Sequence, residues 1–247
     1  KYYTNNLFSL TNLLNELKNL NKEINFIFSS SATVYGDPKT LPITESEPIK
    51  KAESPYGNTK QIGEEIIKDL VNSSFNFKAI SLRYFNPIGA HPSALIGELP
   101  IGIPQNLVPY ITQTAIGKRN ELTVFGDNYL TRDGSCIRDY IHVVDLAKAH
   151  IKSLEKLIKE SSKNYYDAFN IGTGKGTSVL ELISCFESVS GKKLNFKIGE
   201  RRKGDVAKCF ADVLKANELL NWKSKHSIED ALLSSWNWEK HIKNEQL

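Results

Sequence analysis

An α/β fold with parallel strands is what this sequence predicts, from three observations. Short apolar runs alternate with stretches of helical periodicity over residues 1–90. Helix-opening residues stand in the connections between those runs. A serine triplet follows the first run, where a buried strand would end. Alternation of this kind puts crossover helices between parallel strands.

The elements follow in order. Leu7, Leu10, Leu13, Leu14, Leu17 and Leu20 fall on one helical face and predict a helix over 7–20. Asn25-Phe26-Ile27-Phe28 predicts a strand over 25–29, running into Ser29-Ser30-Ser31. Ser54 and Pro55 suit the N-cap and first position of a helix over 55–71, with Ile62, Ile66, Ile67 and Leu70 as its apolar stripe. A strand is expected over 78–85. Pro92, Pro100 and Pro104 mark 91–106 as a loop. Leu107 to Lys118 reads as helix, Leu122 to Gly126 as a strand ending in a turn, and Val143 to Lys159 as helix. Residues 160–168 are polar and read as a surface loop before a strand at Phe169-Asn170-Ile171. Ser178-x-x-Glu181 is a capping box for a helix that Gly191 would stop. A last helix covers 228–241.

Composition narrows the class. The 247 residues suffice for a sizeable core, and 40% hydrophobic with 24% charged is ordinary for a globular chain. No apolar run is long enough for a membrane span, and no secretory pattern is present. The net charge of +4, from 32 basic and 28 acidic residues, is spread along the chain. Neither a membrane nor a nucleic acid is therefore expected as partner. Cys136, Cys185 and Cys209 are odd in number and far apart, and the five histidines form no ligand cluster. No metal is expected, and a reducing cytoplasm suits the chain. It contains no methionine and opens inside a helix pattern, so it reads as cut on its N-terminal side.

Tyr56-x-x-x-Lys60 carries chemistry. Four residues apart on a helix, the two side chains share a face. An ammonium beside a phenol is expected to lower its pKa from about 10. A phenolate is a general base for an alcohol proton, and the upstream serine hydroxyls can bond to the same oxygens. This suits reversible oxidation of an alcohol if a nicotinamide takes the hydride. The bare pattern also occurs where it only packs; here it opens a helix beside a strand end, where parallel sheets bind ligands. Gly172-Thr173-Gly174-Lys175-Gly176 suggests a phosphate loop, but Thr177 breaks the dinucleotide fingerprint and the Walker spacing is absent. It reads as a tight strand-to-helix turn. No other segment supplies a dinucleotide fingerprint.

Several segments together resemble the UDP-glucose 4-epimerase family of the extended short-chain dehydrogenase/reductase superfamily. They are Ser-Ser-Ser-Ala-Thr-Val-Tyr-Gly (29–36), Ser-Pro-Tyr-Gly-Asn-Thr-Lys (54–60), Arg-Tyr-Phe-Asn-Pro-Ile-Gly-Ala-His-Pro (83–92), Gly-Ile-Pro-Gln-Asn-Leu (102–107), Arg-Asp-Tyr-Ile-His-Val-Val-Asp-Leu (138–146) and Arg-Arg-Lys-Gly-Asp (201–205). The resemblance runs from Tyr2 through Trp238. It implies a Rossmann-like doubly wound parallel sheet, incomplete because its first half is missing, with a smaller C-terminal α/β substrate domain. Residues 1–90 would belong to the NAD-binding domain. Residues 91–247 would be mostly substrate domain, with segments around 120–150 and 165–180 returning to the main sheet. The implied activity interconverts UDP-glucose and UDP-galactose by transient NAD-dependent oxidation at C4. The family's opening strand, Gly-rich turn and adenosine-reading acid have no counterpart here, so the chain by itself is expected to bind NAD poorly and to be inactive.

The resemblance also implies roles. Tyr56 would take the O4 proton, Lys60 would bond the nicotinamide ribose and keep Tyr56 acidic, and Ser31 would bond O4. Asn5 and Phe85 match positions that touch NAD, although Phe85 alone reads as core. Asn86 and Asn106 match substrate-contacting asparagines, and Leu107, Thr123 and Phe125 match the uridine region. Arg138 and Arg202 match diphosphate ligands, which suits a guanidinium fork; outside the resemblance, Arg201-Arg202 reads as a solvated pair. Asp205 matches a ribose-binding acid, and Tyr84 suits either the sugar pocket or the core. Cys209 matches a position beside the sugar C2 substituent, where a small residue leaves room for an N-acetyl group; a plain buried cysteine is the other reading. Ala32-Thr33 lacks the Asp-Glu pair that related 4,6-dehydratases carry there, which disfavours dehydration. The alternatives are a 4-epimerase of UDP-N-acetylglucosamine or of a UDP-uronic acid, and a non-catalytic nucleotide-binding regulatory protein. Intact Ser31, Tyr56 and Lys60 argue against the last. A homodimer through the helices at 7–20 and 55–71 is expected of the complete protein.

Overall fold

The computed structural model describes residues 1–20, 22–73 and 76–245. In chain order a π-helical turn (Tyr3–Phe8) leads into α1 (Ser9–Asn19) and β1 (Ile24–Ser31). A 3-10 turn (Ala32–Tyr35), α2 (Pro55–Ser73), β2 (Phe77–Tyr84), β3 (Asn86–Ile88) and α3 (Leu107–Ala115) follow. Then come β4 (Leu122–Phe125), β5 (Ile137–Arg138), β6 (Tyr140–His142), α4 (Val143–Lys159), β7 (Tyr165–Ile171) and β8 (Thr177–Ser178). The chain closes with α5 (Val179–Ser190), β9 (Phe196–Gly199), β10 (Lys208–Cys209), α6 (Leu214–Leu219) and α7 (Ile228–Asn244). Among the described residues, no helix is long and apolar enough to cross a membrane.

The chain divides into two compact units. The first comprises Lys1–Phe85, Lys148–Ile171 and Ala211–Lys223. Its sheet has the order β1-β2-β7, and both pairings are parallel. The register sets Ile24 beside Phe77 and Ser31 beside Tyr84. The expected α/β class with parallel strands is therefore present. Leu10, Leu14, Ile67, Val71, Phe77 and Ala79 form the core between the helices and the sheet. Leu13 and Leu20, expected on the same apolar stripe, are instead exposed.

The central strand β2 is buried yet carries three polar side chains, and each has partners. Lys78 bonds Glu23 at 2.9 Å and the Glu160 carbonyl at 2.7 Å. Ser81 accepts from the Tyr166 hydroxyl at 2.9 Å, and Arg83 pairs with Glu64. Burial without such bonds would cost several kcal/mol per group, on the order of 2–7. The same pairing corrects the expected loop over 160–168. Tyr165 and Tyr166 begin β7, because their rings and hydroxyls find Lys156, Asp167 and Ser81 rather than water.

The second unit comprises Asn86–Ala147, Gly172–Phe210 and Ser224–Leu247. It holds the parallel pairs β3-β6 and β4-β9, and the mixed sheet β10-β5-β8. Its core joins Val108, Ile111, Leu122, Val124, Leu182, Phe186, Leu232 and Trp236. Phe186 meets Trp236 edge-on at 5.8 Å between centroids. Leu122–Phe125 thus pairs with Phe196–Gly199, whereas the sequence reading placed residues around 120–150 in the main sheet. The reason is burial: Leu122 and Val124 face the core of this unit.

Helix ends follow their caps. Ser178 and Glu181 form the expected reciprocal capping box, and Gly191 closes α5 at φ 68°. Ser227 and Asp230 cap α7 in the same way. The Glu181 carboxyl is held down to about 2, first by hydrogen bonding from Arg132, with the Ser178 amide adding and burial opposing. A depressed carboxylate stabilises the fold fully above its unfolded value of about 4.3 and loses that contribution as pH falls through the folded value. Glu181→Gln is therefore expected to lower the thermal midpoint at neutral pH, and the difference from wild type should shrink between about pH 4.5 and about pH 2. A difference that stays constant across that window would contradict the assignment.

Candidate active site

In the first unit the catalytic candidates gather where β1 ends. Ser31 closes the strand and caps the following 3-10 turn, its Oγ accepting from the Thr33 amide at 3.3 Å. Ser54 caps α2 as expected, its Oγ accepting from the Gly57 amide at 3.1 Å. Tyr56 and Lys60 thereby occupy the first two turns. Gln61 ties the helix down, donating to the Val34 carbonyl at 2.8 Å and the Lys50 carbonyl at 2.6 Å. A methyl group at Gly57 would stand 3.2 Å from the Thr33 carbonyl oxygen, so a glycine lets the helix approach this corner.

Lys60 is half-buried. Its Nζ donates to the Ser29 carbonyl at 2.7 Å and lies 5.5 Å from the Tyr56 ring centroid and 5.1 Å from that of Phe28. Burial lowers its pKa. The expected acidification of Tyr56 is absent: burial pushes its phenol up, Tyr84 and Tyr2 add to this, and hydrogen bonding to Ser31 opposes. Lys60 spends its hydrogen bond on the strand and lies over the Tyr56 ring, so its charge does not reach the phenolic oxygen in the way the spacing suggested. Tyr2 packs edge-on to Tyr56 at 5.9 Å, a contact that the spacing of motifs does not reveal. Asn5 and Lys60 share a cavity of about 330 Å³ with Asn6, Thr59 and Phe28. Phe85 is buried among core residues, and Tyr84 is half-buried with its ring 6.4 Å from that of His150.

The second unit contains a cavity of about 410 Å³. Asn86, Asn106, Leu107, Thr123, Phe125, Arg138, Arg202 and Asp205 all line it. Cys209 does not; it sits in β10 opposite Arg138, with its thiol pushed up to about 11, chiefly by burial. Asp205 takes Arg202 Nε at 2.9 Å and stands 3.7 Å from Arg138 Nη2. The Arg202 guanidinium lies over the Phe125 ring at 4.9 Å. Glu98 also lines the cavity, accepting from the Asn106 amide at 2.8 Å, and the Trp238 indole donates to its carbonyl. Sequence reasoning missed Glu98 because a loop acid among prolines has no local pattern to mark it.

The 172–176 turn directs two of its amides inward rather than toward a ligand. The amides of Thr173 and Gly174 donate to the buried Asp139 carboxylate at 2.8 and 3.0 Å, and the Thr173 hydroxyl adds a bond of 2.6 Å. An internal anion fills the place a phosphate would take.

The family model described as GDP-mannose 4,6 dehydratase matches residues 1–234. A UDP-glucose 4-epimerase of Drosophila melanogaster is 48% identical over 244 residues, which is 99% of this chain and 69% of that protein. The chain belongs to the UDP-glucose 4-epimerase family. Two solved structures of UDP-glucose 4-epimerases are similar throughout. That of Stenotrophomonas maltophila, with bound NAD and formylated UDP-arabinopyranose, superposes with a TM-score of 0.93 at 42% identity, covering 99% of this chain and 71% of that one. That of Bifidobacterium longum, in complex with NAD+ and UDP, gives 0.91 at 46% identity, covering 98% and 71%. Membership of the UDP-glucose 4-epimerase family accords with Ala32 and Thr33, which supply no carboxylate beside Ser31.

Asp139→Ala should lower the unfolding free energy by about 2–4 kcal/mol, because it leaves two inward amides unpaired. Urea unfolding measures this. Binding of inorganic phosphate to the 172–176 amides of the unaltered chain, seen by amide chemical shifts, would contradict the internal role of Asp139.

Proposed function

We propose that this chain is a UDP-hexose 4-epimerase acting on UDP-glucose and UDP-galactose through transient oxidation at C4. The observation that carries this is the convergence of Ser31, Tyr56 and Lys60 at one strand end with no acid at 32 or 33. A base and a hydroxyl serve alcohol oxidation; an acid pair for expelling water is missing. The cavity of the second unit would take the UDP portion. Arg138 and Arg202 would meet the diphosphate, Asp205 the ribose, Thr123, Phe125 and Leu107 the uridine, and Asn86 and Asn106 further substrate oxygens.

The residues present fit the nicotinamide half of NAD. Lys60 is a half-buried ammonium with three donors, of which the Ser29 carbonyl takes one, and it shares a cavity with Asn5, Asn6 and Thr59. Lys60, Asn5 and Phe85 would hold that half. NAD would supply the hydride acceptor at C4 and, in reduced form, the donor that returns the hydride to the opposite face. Tyr56 accepts the O4 proton, keeps it while the keto sugar turns, and returns it. Ser31 bonds the same sugar oxygen and relays the proton. Ser31 is the neighbour that favours the Tyr56 phenolate, while Lys60 serves the cofactor side.

The exposed Phe8, Leu13 and Leu20 support a homodimer formed through the helical segments at 7–20 and 55–71. The three free cysteines support a cytoplasmic location.

With the chain completed by the N-terminal segment of a family relative and NAD added, Tyr56→Phe is expected to lower turnover of UDP-galactose by about 10²–10⁴-fold. Near-normal turnover would remove Tyr56 from the mechanism. Cys209 stands outside the cavity lining but opposite Arg138, which lines it, and from there its small side chain would leave room for a larger C2 substituent. Cys209→Tyr should then suppress turnover of UDP-N-acetylgalactosamine while sparing UDP-galactose; equal effects on both sugars would count against that role.

A further inference from the structure

The first unit holds a second polar cluster, fully buried, that the chemistry above does not use. Glu64 is 1% exposed and Arg83 4%. Arg83 grips the carboxylate with both arms, Nε to Oε1 at 2.9 Å and Nη2 to Oε2 at 2.5 Å. Ser30 Oγ donates to Oε1 at 2.5 Å, and the Tyr166 hydroxyl reaches Oε2 at 3.5 Å. The third nitrogen of Arg83 donates to the Tyr35 hydroxyl at 3.1 Å, which in turn donates to Asn170 Oδ1 at 2.6 Å.

A buried ion pair adds little stability over apolar residues of similar volume, because both charges must be desolvated. Its position says more. Glu64 follows Lys60 by four residues and Tyr56 by eight, so one face of α2 carries all three. Successive residues of β1 then engage that face. Ser29 takes the Lys60 ammonium, Ser30 bonds Glu64, and Ser31, at the end of the strand, lies near enough to Tyr56 to lower its pKa. A rotation or slide of the helix would break the Ser30–Glu64 bond and move Tyr56 relative to Ser31.

We propose that Glu64, gripped by Arg83 and bonded to Ser30, is a positioning residue for the C4 chemistry, fixing the register of the Tyr56/Lys60 helix on the strand that ends in Ser31. This rests on the epimerase reading above. Geometry of this kind acts on rate, since a misplacement of about 1 Å costs on the order of 10²-fold.

The test uses the full chain with two variants, Ser30→Ala and the double Glu64→Leu/Arg83→Met. The first removes one tie and keeps the ion pair; the second replaces the pair by apolar side chains. Two readouts are taken. One is kcat and KM for UDP-galactose, with NAD and the N-terminal segment of a family relative supplied. The other is the titration of Tyr56 in ¹³Cζ-tyrosine-labelled chain, its signal assigned with Tyr56→Phe; Tyr2, Tyr84 and Lys60 are the ionisable groups around it. The expected result is a fall in kcat of about tenfold or more with KM changed by less than about twofold, and a displaced Tyr56 midpoint in both variants. Unchanged kcat and an unchanged Tyr56 titration, whatever happens to the melting temperature, overturn the proposal. If the double variant does not fold, Ser30→Ala decides. If the unaltered chain turns over no UDP-sugar even with that segment supplied, the epimerase reading fails, and the Tyr56 titration alone decides the positioning role.

Discussion

Helix α2 lies against β1 more closely than ordinary side chains allow, and the first unit is organised by that contact. At Gly63 a methyl group would come 2.7 Å from the Phe28 ring and 3.2 Å from Leu10. Glycine here, and at Gly57 one and a half turns earlier, brings the helix near enough for the short reach from Lys60 to the Ser29 carbonyl. Burial of Leu10, Leu14, Ile67 and Val71 holds the helix in place, each such side chain being worth about 1.5–3 kcal/mol. Apolar packing supplies the attraction, and polar bonds along the serine triplet select one register from several that packing alone would accept.

The second unit solves a different problem, which is to keep positive charge ready in a partly solvated cavity. Arg202 is exposed and flat against Phe125, while Arg138 is held by the carbonyls of Ile137 and Val206. Asp205 stands near both guanidiniums. One carboxylate between two guanidiniums leaves net positive charge and limits the side-chain freedom that a bound diphosphate would otherwise have to remove. Near the surface such charges interact with an effective dielectric of about 20, so orientation matters more than raw attraction.

Much of this was legible in the sequence, for reasons specific to particular residues. Ser54-Pro55, Ser178-x-x-Glu181 and Gly191 announce helix ends by local chemistry that tertiary packing does not override. The run Phe26-Ile27-Phe28 announces a buried strand. The strands β5, β8 and β10 are two residues long, too short for any period to register. β7 was missed in its first half because Tyr165, Tyr166 and Asp167 look solvated until Ser81 and Lys156 are brought to them from distant segments. At the site, spacing correctly brings Tyr56 and Lys60 to one face, but it cannot say where an ammonium with three donors spends its bonds. That depends on Ser29, a residue of another element. The gathering of Asn86, Thr123, Arg138 and Arg202 on one cavity is likewise a product of folding; only likeness to a family pointed to those positions in advance.

The loop at 172–176 shows how a fold can hold a capacity in reserve. The amides of Thr173 and Gly174 converge on one carboxylate, that of Asp139, from within. The strand-to-turn geometry that would receive an anion is thus already present and is used for an internal bond. A lineage that lost this one carboxylate and survived the destabilisation would inherit a preformed anion cradle without rebuilding any backbone. Read in the other direction, a glycine-rich turn in a nucleotide-binding family need not be evidence of a second nucleotide, because the chain can be its own ligand.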